Sequence, residues 1–338
     1  MKNRNMNGRD RRDFLKEMAL FGGAALAAGS LGEALAQTGP DWKKQIGLEL
    51  YTVRDEMQND FEGVIAKIAS FGYKEVEAAT GYNNMSAKEF RAMLDRYGLT
   101  MPSTHSGLPA ADTMDARLEG GQVMGLKYVE NLGGGGVGGR AAGAPRGTAP
   151  AGVPPAGRAG GGGGRGAGQT EEAIKRQAQT LNDNGKIARK FGIKMIVHNH
   201  TGEFAPLADK SELQPYDVLL AETDPEVVAM QLDIGWASVA GQDILAMFKK
   251  SPGRFECWHV KDAMGLKMLT PDMTQSQRQQ AAKLVPIGQG DVDYKSIFAA
   301  ASLAGMKHFC IEQDNASQWG DSVAAARVSL NGLVKELS

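Results

Sequence analysis

From residue 46 onward, short apolar runs rich in β-branched and aromatic residues alternate with longer amphipathic stretches. Eight of the short runs predict strands, at residues 46–53, 73–79, 100–107, 127–132, 194–200, 228–235, 255–262 and 307–314. The stretches between them, such as DFEGVIAKIASFG and SAKEFRAMLDRYG, repeat apolar residues at the spacing of a helix that buries one face. This alternation predicts parallel strands joined by crossover helices.

Eight strand and helix units favour a closed α/β fold, the (β/α)8 TIM barrel, over an open doubly wound sheet. No Gly-x-Gly-x-x-Gly turn follows the first predicted strand, which removes the main support for a dinucleotide-binding fold. Of the 338 residues, 266 remain when the first 36 and the Gly-rich stretch 133–168 are set aside. That length is close to the ~250 residues typical of this barrel. We therefore predict one barrel domain over residues 41–338.

The first 36 residues have a different pattern. The pair Arg11-Arg12 precedes a short apolar stretch rich in Gly and Ala, and a small-residue sequence ends at Ala36. This layout is typical of a twin-arginine export signal cleaved after Ala36, with an amphipathic helix or membrane anchor as the alternative. The apolar stretch is too short to span a bilayer, and no later stretch is long enough. We expect a periplasmic or exported protein without a membrane span.

The stretch 133–168 holds 17 of the 44 glycines, no acidic residue and no apolar residue larger than Val. Such a segment cannot bury enough apolar surface to offset its chain entropy, so we predict a disordered low-complexity insertion. It follows the fourth predicted strand, on the side of the barrel where catalytic loops lie. A lid over the active site is therefore the alternative interpretation.

Composition limits the classes of partner. The formal net charge is -1, so nothing in the charge indicates a nucleic acid or an anionic membrane, and we expect a small-molecule substrate. Cys257 and Cys310 are the two cysteines, too few for a disulfide framework. We predict two buried free thiols rather than one disulfide. The sequence does not set the oligomeric state, and a homodimer is compatible with it.

Polar residues cluster at the carboxyl ends of the predicted strands, where parallel barrels carry their active sites. Four of the five histidines lie there. The full set is His105 after the third strand, His198 and His200 after the fifth, Asp233 after the sixth, His259 and Lys261 after the seventh, and Glu312 after the eighth. Imidazole and carboxylate ligands around one point predict an open catalytic site for a divalent ion such as Mn²⁺, Co²⁺, Fe²⁺ or Zn²⁺.

Five short motifs carry a resemblance to a known family. They are GLELYTVRDE (47–56), HNHTGEF (198–204), LDIGW (232–236), WHVKD (258–262) and CIEQD (310–314). Together they resemble the xylose isomerase-like TIM barrels of the sugar phosphate isomerase/epimerase family, whose superfamily includes tagatose epimerases and inosose dehydratases. The resemblance covers residues 46–338 apart from the Gly-rich stretch.

The resemblance implies one divalent metal held by a carboxylate on the fifth strand, an aspartate on the sixth, a histidine on the seventh and a glutamate on the eighth. Asp233, His259 and Glu312 match the last three places. On the fifth strand this chain has His198 where the epimerases have glutamate, with His200 on the same face and Glu203 soon after. The fourth ligand therefore stays open, with His198 as the first candidate.

The implied activity is a sugar or keto-sugar isomerase/epimerase that works by enolisation, the removal of a proton next to a carbonyl that the metal polarises. Glu312 would act as one acid/base, and His200, Glu203 or Lys261 as the second. Lys261 could shuttle protons if its pKa is lowered, could neutralise an enolate oxygen, or could pair with Asp262 or Glu312 for structural reasons.

Further residues are candidates for the lining of a substrate pocket. His105 could hydrogen-bond a sugar hydroxyl or cap its own loop, and Glu49, Tyr51 and Trp236 could line the pocket or only pack. Three rival functions stay open at this point: a keto-sugar lyase or dehydratase on the same site, a periplasmic sugar-binding protein without catalysis, and an enzyme of the endonuclease IV type. The charge balance and the export signal disfavour the last of these.

Overall fold

We analysed a computed structural model, which describes residues 42–132 and 169–338. The predicted export signal at residues 1–36 and the predicted insertion at 133–168 lie outside the described residues, so both stay predictions. Across the described ranges, no helix combines the length and apolar character needed to cross a bilayer.

Within residues 42–132 and 169–338, ten strands form two sheets. They are β1 Ile46–Glu49, β2 Glu75–Ala78, β3 Thr100–Thr104, β4 Tyr128–Val129, β5 Lys194–His198, β6 Val228–Asp233, β7 Cys257–Val260, β8 Asp262–Met264, β9 Lys283–Val285 and β10 His308–Ile311. Eight of them pair in the order β3-β2-β1-β10-β7-β6-β5-β4, all in parallel, while β8 and β9 form a separate antiparallel pair. The backbone N–H of Lys127 donates to the carbonyl of Pro102 at 2.7 Å, which links the two ends of the eight-stranded sheet. The predicted (β/α)8 barrel is confirmed, with β10 as its eighth strand.

Helices connect the strands on the outside of the barrel. They are α1 Arg54–Met57, α2 Phe61–Phe71, α3 Ala87–Arg96, α4 Met114–Met124, α5 Glu171–Arg189, α6 Pro215–Glu222, α7 Ile234–Val239, α8 Ile244–Lys250, α9 Gln275–Ala281, α10 Tyr294–Ala299, α11 Ala301–Ala304 and α12 Ser322–Glu336. Local sequence sets several of their ends. Ser86 and Glu89 form a reciprocal capping box that starts α3, and Gly72, at φ 113°, ends α2 in a conformation that favours glycine.

The predicted strands extend too far at their carboxyl ends. The sequence placed the seventh strand at 255–262 and the eighth at 307–314, whereas the ladders end at Val260 and Ile311. Beyond Ile311 the chain turns into a loop, and beyond Val260 only Lys261 separates β7 from β8. The sequence analysis also missed the β8–β9 pair. It branches off directly after Lys261 and helps to cover the rim of the barrel.

The amino-terminal face of the barrel holds a charged cluster that is separate from the rim. Glu256 accepts hydrogen bonds from Tyr128 Oη at 2.7 Å, Lys194 Nζ at 2.5 Å and Lys307 Nζ at 2.8 Å. Cys257 lies beside this cluster on β7, and it and Cys310 are buried free thiols, as the sequence predicted. Contacts at this face serve stability, because barrel chemistry takes place at the opposite face.

Candidate metal centre and active site

Three strand ends bring one aspartate, one histidine and one glutamate together. Asp233 on β6 and His259 on β7 are direct register partners, so their side chains leave neighbouring strands at the same level. The N–H of Glu312 continues the ladder from β10 by donating to the carbonyl of Val260 at 3.1 Å. One ligand atom from each of Asp233, His259 and Glu312 lies within 4.8 Å of the other two. All three side chains are buried.

The atoms that face each other in this cluster lack hydrogen-bond partners. Among the described residues, Asp233 Oδ2, His259 Nδ1 and Glu312 Oε2 are buried and make no contact with hydrogen-bond geometry, although both carboxylate oxygens form ion pairs with Lys261. His259 Nδ1 lies 2.6 Å from Glu312 Oε2, but the contact lacks hydrogen-bond geometry. Buried polar atoms are almost always paired, and each exception calls for an explanation. Two carboxylate oxygens and one imidazole nitrogen form a donor set that suits a divalent transition metal, so these residues fit the metal that the sequence predicts.

The side chain of Lys261 reaches the same carboxylates. Its Nζ lies 3.0 Å from Asp233 Oδ2, 2.8 Å from Glu312 Oε2 and 2.9 Å from Asp314 Oδ2, and the residue is only 1% exposed. Burial disfavours the ammonium, but the three carboxylates outweigh it and raise the pKa of Lys261 well above its usual value. Lys261 is therefore a buried cation in this arrangement, and its pKa shift is opposite in direction to the lowering that the sequence analysis considered beside a bound metal.

Local packing fixes the position of Lys261. Gly235 lies so close that a Cβ atom there would approach the Lys261 Cβ to 2.5 Å, so only glycine fits. The predicted structural partner Asp262 is engaged elsewhere, because it accepts hydrogen bonds from the N–H groups of Gly288 and Gly290, both at 2.9 Å. Of the two structural partners considered from sequence, the structure selects Glu312.

A second polar layer lies deeper in the barrel, on the other side of His259. Glu77 Oε1 is 2.8 Å from His259 Nε2 and 3.1 Å from His105 Nε2. Glu77 Oε2 accepts hydrogen bonds from Ser103 Oγ and from Gln231 Nε2. Burial opposes ionisation of Glu77, but His105 and His259 lower its pKa to about 2. Sequence analysis missed Glu77 and Gln231, although a glutamate inside a buried parallel strand is itself a signal.

His105 belongs to this deeper layer. Besides its contact with Glu77, its Nε2 lies 2.5 Å from Gln231 Oε1, and its ring centroid is 4.9 Å from that of His259. The structure therefore places His105 directly after the end of β3, within the protein's own polar network and with its side chain 18% exposed.

His198, the candidate for the fourth ligand, lies close to the cluster. Its Nε2 is 3.8 Å from Asp233 Oδ2, and its ring centroid is 4.8 Å from that of His259. Its Nδ1 is buried without a hydrogen-bond partner among the described residues. Burial lowers the pKa of His198 well below its usual value, and His105 and His259 lower it further, so the ring is neutral. A neutral imidazole is the form that binds metals.

His200 and Glu203 border different cavities. Glu203 Oε2 accepts a hydrogen bond from the backbone N–H of His200 at 2.7 Å, which holds the loop after β5. Glu203 lines a cavity of about 160 Å³ that also touches His198 and α5. His200 instead lines a larger cavity of about 380 Å³ at the carboxyl ends of the strands. We call this larger space the mouth cavity.

The mouth cavity contains two of the predicted pocket residues. Its lining includes Tyr51, Arg54, His200, Trp236, Lys283 and Asp314. Trp236 Nε1 is buried and has no hydrogen-bond partner among the described residues. Aromatic faces with a few polar groups are the usual lining of a small-molecule site. Glu49 lies outside this lining. It is 1% exposed, and its Oε2 accepts a hydrogen bond from the N–H of Tyr51 at 2.9 Å.

Two neighbouring carboxylates at the rim ionise differently. Burial opposes ionisation of Glu312, but the charges of Lys261 and His259 outweigh it and lower its pKa well below the usual value. Burial raises the pKa of Asp314 to about 7 against the opposing charge of Lys261. Environments that separate two carboxyl groups in this way are typical of acid/base pairs. Sequence analysis quoted Asp314 within CIEQD but gave it no role.

The chain was compared with known protein families once this geometry was established. The family model described as "Xylose isomerase-like TIM barrel" matches residues 65–331, which is most of the chain. The chain belongs to this family. The resemblance seen in the five sequence motifs is therefore confirmed at the level of the family.

Curated relatives match only part of the barrel. An inosose dehydratase from Clostridium tetani is 31% identical over 133 residues, which is 38% of this chain and 43% of the relative. An inosose dehydratase from Geobacillus thermodenitrificans is 29% identical over 153 residues, 44% of this chain and 50% of the relative. The matches thus span about half the length of these relatives or less.

Solved structures match over nearly the whole barrel. A sugar phosphate isomerase/epimerase from Parabacteroides distasonis has a TM-score of 0.60 and 19% identity, and the match covers 90% of this chain and 97% of the other. The IolI protein with a bound zinc atom has a TM-score of 0.56 and 12% identity, with 87% and 98% covered. At such identities the likeness shows the shared fold.

Proposed function

We propose that the protein is a divalent-metal-dependent isomerase/epimerase that acts on a sugar or keto-sugar by enolisation. The observation that carries this proposal is the convergence of Asp233 Oδ2, His259 Nδ1 and Glu312 Oε2, three buried ligand atoms that all lie within 4.8 Å of one another. They lie at the rim of the barrel, where chemistry takes place in this fold. The family membership supports an enzyme that processes sugars.

Each group near the rim has a role in the proposed reaction. Asp233, His259 and Glu312 would hold the ion, with His198 as the fourth ligand. When bound, the ion would polarise a carbonyl oxygen and stabilise the negative charge that develops there. Glu312 is ionised and would accept the proton that leaves the carbon next to the carbonyl.

Lys261 and the mouth cavity would supply orientation and charge. The ammonium of Lys261 is held at 2.8 to 3.0 Å by three carboxylates, so it is a fixed positive charge at the place where an enolate oxygen develops. Trp236 and Tyr51 would offer aromatic faces to the sugar ring. His200 lines the same cavity and would be the second proton carrier, whereas Glu203 would position the His200 backbone.

A keto-sugar lyase or dehydratase is the second candidate. The inosose dehydratases among the relatives favour it, as does the absence of a glutamate at the fifth-strand place. A syn elimination needs one base and one acid on the same side of the substrate, and Glu312 with Asp314 would provide such a pair. Both reactions start with removal of a proton next to a carbonyl.

We also propose that the protein is exported through the twin-arginine pathway and acts on unphosphorylated sugars in the periplasm. The proposal rests on Arg11-Arg12 and the small residues ending at Ala36. Fractionation of cells that produce the full chain, with Arg11 and Arg12 both replaced by lysine as the control, tests it. If the variant with both lysines still reaches the periplasm in its mature form, the export proposal is contradicted.

Proton exchange tests the enolisation proposal directly. The metal-loaded protein is incubated in deuterated water with free ketoses, inososes and 3-keto-glycosides, and carbon-bound deuterium is followed by NMR. We expect exchange with at least one substrate in the wild-type protein and none with Glu312→Gln. Stereochemical inversion would identify an epimerase, whereas loss of water would identify a dehydratase. Turnover or binding without any exchange would contradict enolisation.

A further inference from the structure

His259 makes a close contact through each of its ring nitrogens. Nδ1 faces Glu312 Oε2 in the rim cluster at 2.6 Å, and Nε2 faces Glu77 Oε1 in the deeper layer at 2.8 Å. Both carboxylates and the ring are buried. A ring that binds a metal has one nitrogen with a proton and one with a free lone pair, so an ion must displace any second proton that His259 carries between the two carboxylates. Whether His259 can act as a ligand in the rim cluster therefore depends on which nitrogen keeps the proton.

The surroundings of Glu77 decide this question. Gln231 Oε1 is 2.5 Å from His105 Nε2, which turns the amide NH₂ of Gln231 toward Glu77 Oε2. Ser103 Oγ also donates to that oxygen. Since Oε2 already receives two donors, Glu77 presents Oε1 to His259 as an acceptor. A proton on His259 Nε2 satisfies this contact, and then the lone pair lies on Nδ1.

We propose that Glu77 is a positioning residue that keeps the proton of His259 on Nε2 and so presents the Nδ1 lone pair to the ion held by Asp233 and Glu312. The inference rests on the proposed metal-dependent function and adds a residue to it. Glu77 is not part of the mouth cavity lining, and its contact with the rim cluster is the one with His259. Acceptors behind a ligating histidine commonly change metal affinity about 10- to 100-fold when they are replaced.

Glu77→Gln is the decisive variant because it keeps the shape of the side chain. The new amide oxygen must face the two donors from Ser103 and Gln231, so its NH₂ group must face His259 Nε2. Two N–H groups cannot point at each other, so the His259 proton moves to Nδ1 and blocks the lone pair. We expect zinc and manganese to bind about 10- to 100-fold more weakly than to wild type in calorimetric titrations of the full chain.

Ser103→Ala is the matched control. It removes a donor from the same carboxylate but leaves Oε1 facing His259, so we expect metal affinity close to wild type. A purely structural role for Glu77 would lower the melting temperature in both variants without separating their affinities. Cobalt loading adds a spectroscopic test, since loss of the histidine ligand changes the visible bands. Equal zinc affinity of Glu77→Gln and wild type would overturn the inference and leave the proposed function intact.

The wild-type protein provides an independent test that does not depend on folding of a variant. In zinc-loaded protein with ¹⁵N-labelled histidine, we expect the His259 proton on Nε2 and the zinc on Nδ1. A proton found on Nδ1 would overturn the inference. If the wild-type protein binds neither zinc nor manganese, the proposed function itself fails, which separates the two outcomes.

Discussion

Replacing Lys261 by methionine tests the electrostatics of the rim cluster. The ammonium contacts Asp233, Glu312 and Asp314 at 2.8 to 3.0 Å and is 1% exposed. Methionine fills a similar volume but leaves these carboxylates without their cation. Removal of one partner from a buried ion pair typically costs about 3–5 kcal/mol, because the remaining charge is uncompensated. For a chain of this size that loss corresponds to a fall in melting temperature on the order of 10 °C.

The assay is thermal unfolding of the metal-free protein in EDTA, followed by circular dichroism. Lys250→Met is the matched control, since its Nζ also pairs with a carboxylate, that of Asp217 at 2.7 Å, but its side chain is 69% exposed. An exposed pair contributes less than about 1 kcal/mol, so the control should melt near wild type.

Metal addition extends the test of Lys261→Met. A divalent ion supplies positive charge to the same oxygens, so saturating manganese should stabilise this variant more than it stabilises wild type. Binding at 100 times the dissociation constant contributes about 2.7 kcal/mol. If metal-free Lys261→Met unfolds at the wild-type temperature, the three carboxylates do not depend on the ammonium, and the argument is refuted.

Three further outcomes are expected. His198→Glu restores the carboxylate that the epimerases have at this place, so calorimetry should find manganese bound at least as tightly as by wild type; weaker binding would argue against a ligand at this position. Glu256→Ala removes the acceptor for Lys194 and Lys307 at the opposite face, so the free energy of unfolding should fall by about 2 kcal/mol with kcat/KM unchanged; a change in kcat/KM would contradict the separation of the two faces. Glu77 has a pKa of about 2 in the fold, below its unfolded value of ~4.3, so it stabilises the protein above pH ~4.5. This stabilisation is on the order of 3 kcal/mol, and urea titrations of wild type should show its loss as the pH falls from 4 to 2. The free energy of unfolding of Glu77→Gln should lack this loss, and identical pH profiles for the two proteins would contradict the prediction.

Much of the barrel could be predicted because its pattern is periodic. Apolar runs at regular spacing gave the number and order of the barrel strands, and the carboxyl-end rule then placed Asp233, His259 and Glu312 at one rim. Their convergence is a consequence of parallel register, in which residues at the ends of neighbouring strands share a level. The direct pairing of Asp233 with His259 shows this.

The rest depends on contacts that a linear pattern does not contain. Glu77 is followed by apolar residues in YKEVEAA and gives no motif, so its role behind His259 appears only when β2 and β7 face each other across the barrel. The state of Lys261 depends on three carboxylates, one at the end of β6 and two in the loop after β10. The predicted seventh strand ends two residues too late, because the sequence beyond Val260 keeps an alternating pattern after β7 has ended.

Anomalous diffraction from crystals grown with manganese tests the central claim most directly. The account predicts one strong peak in contact with Asp233 Oδ2, His259 Nδ1 and Glu312 Oε2. Without a metal at this place the fold would still be a barrel, but the proposed reaction could not take place. Absence of a peak at these three atoms in crystals that hold manganese elsewhere would contradict the account.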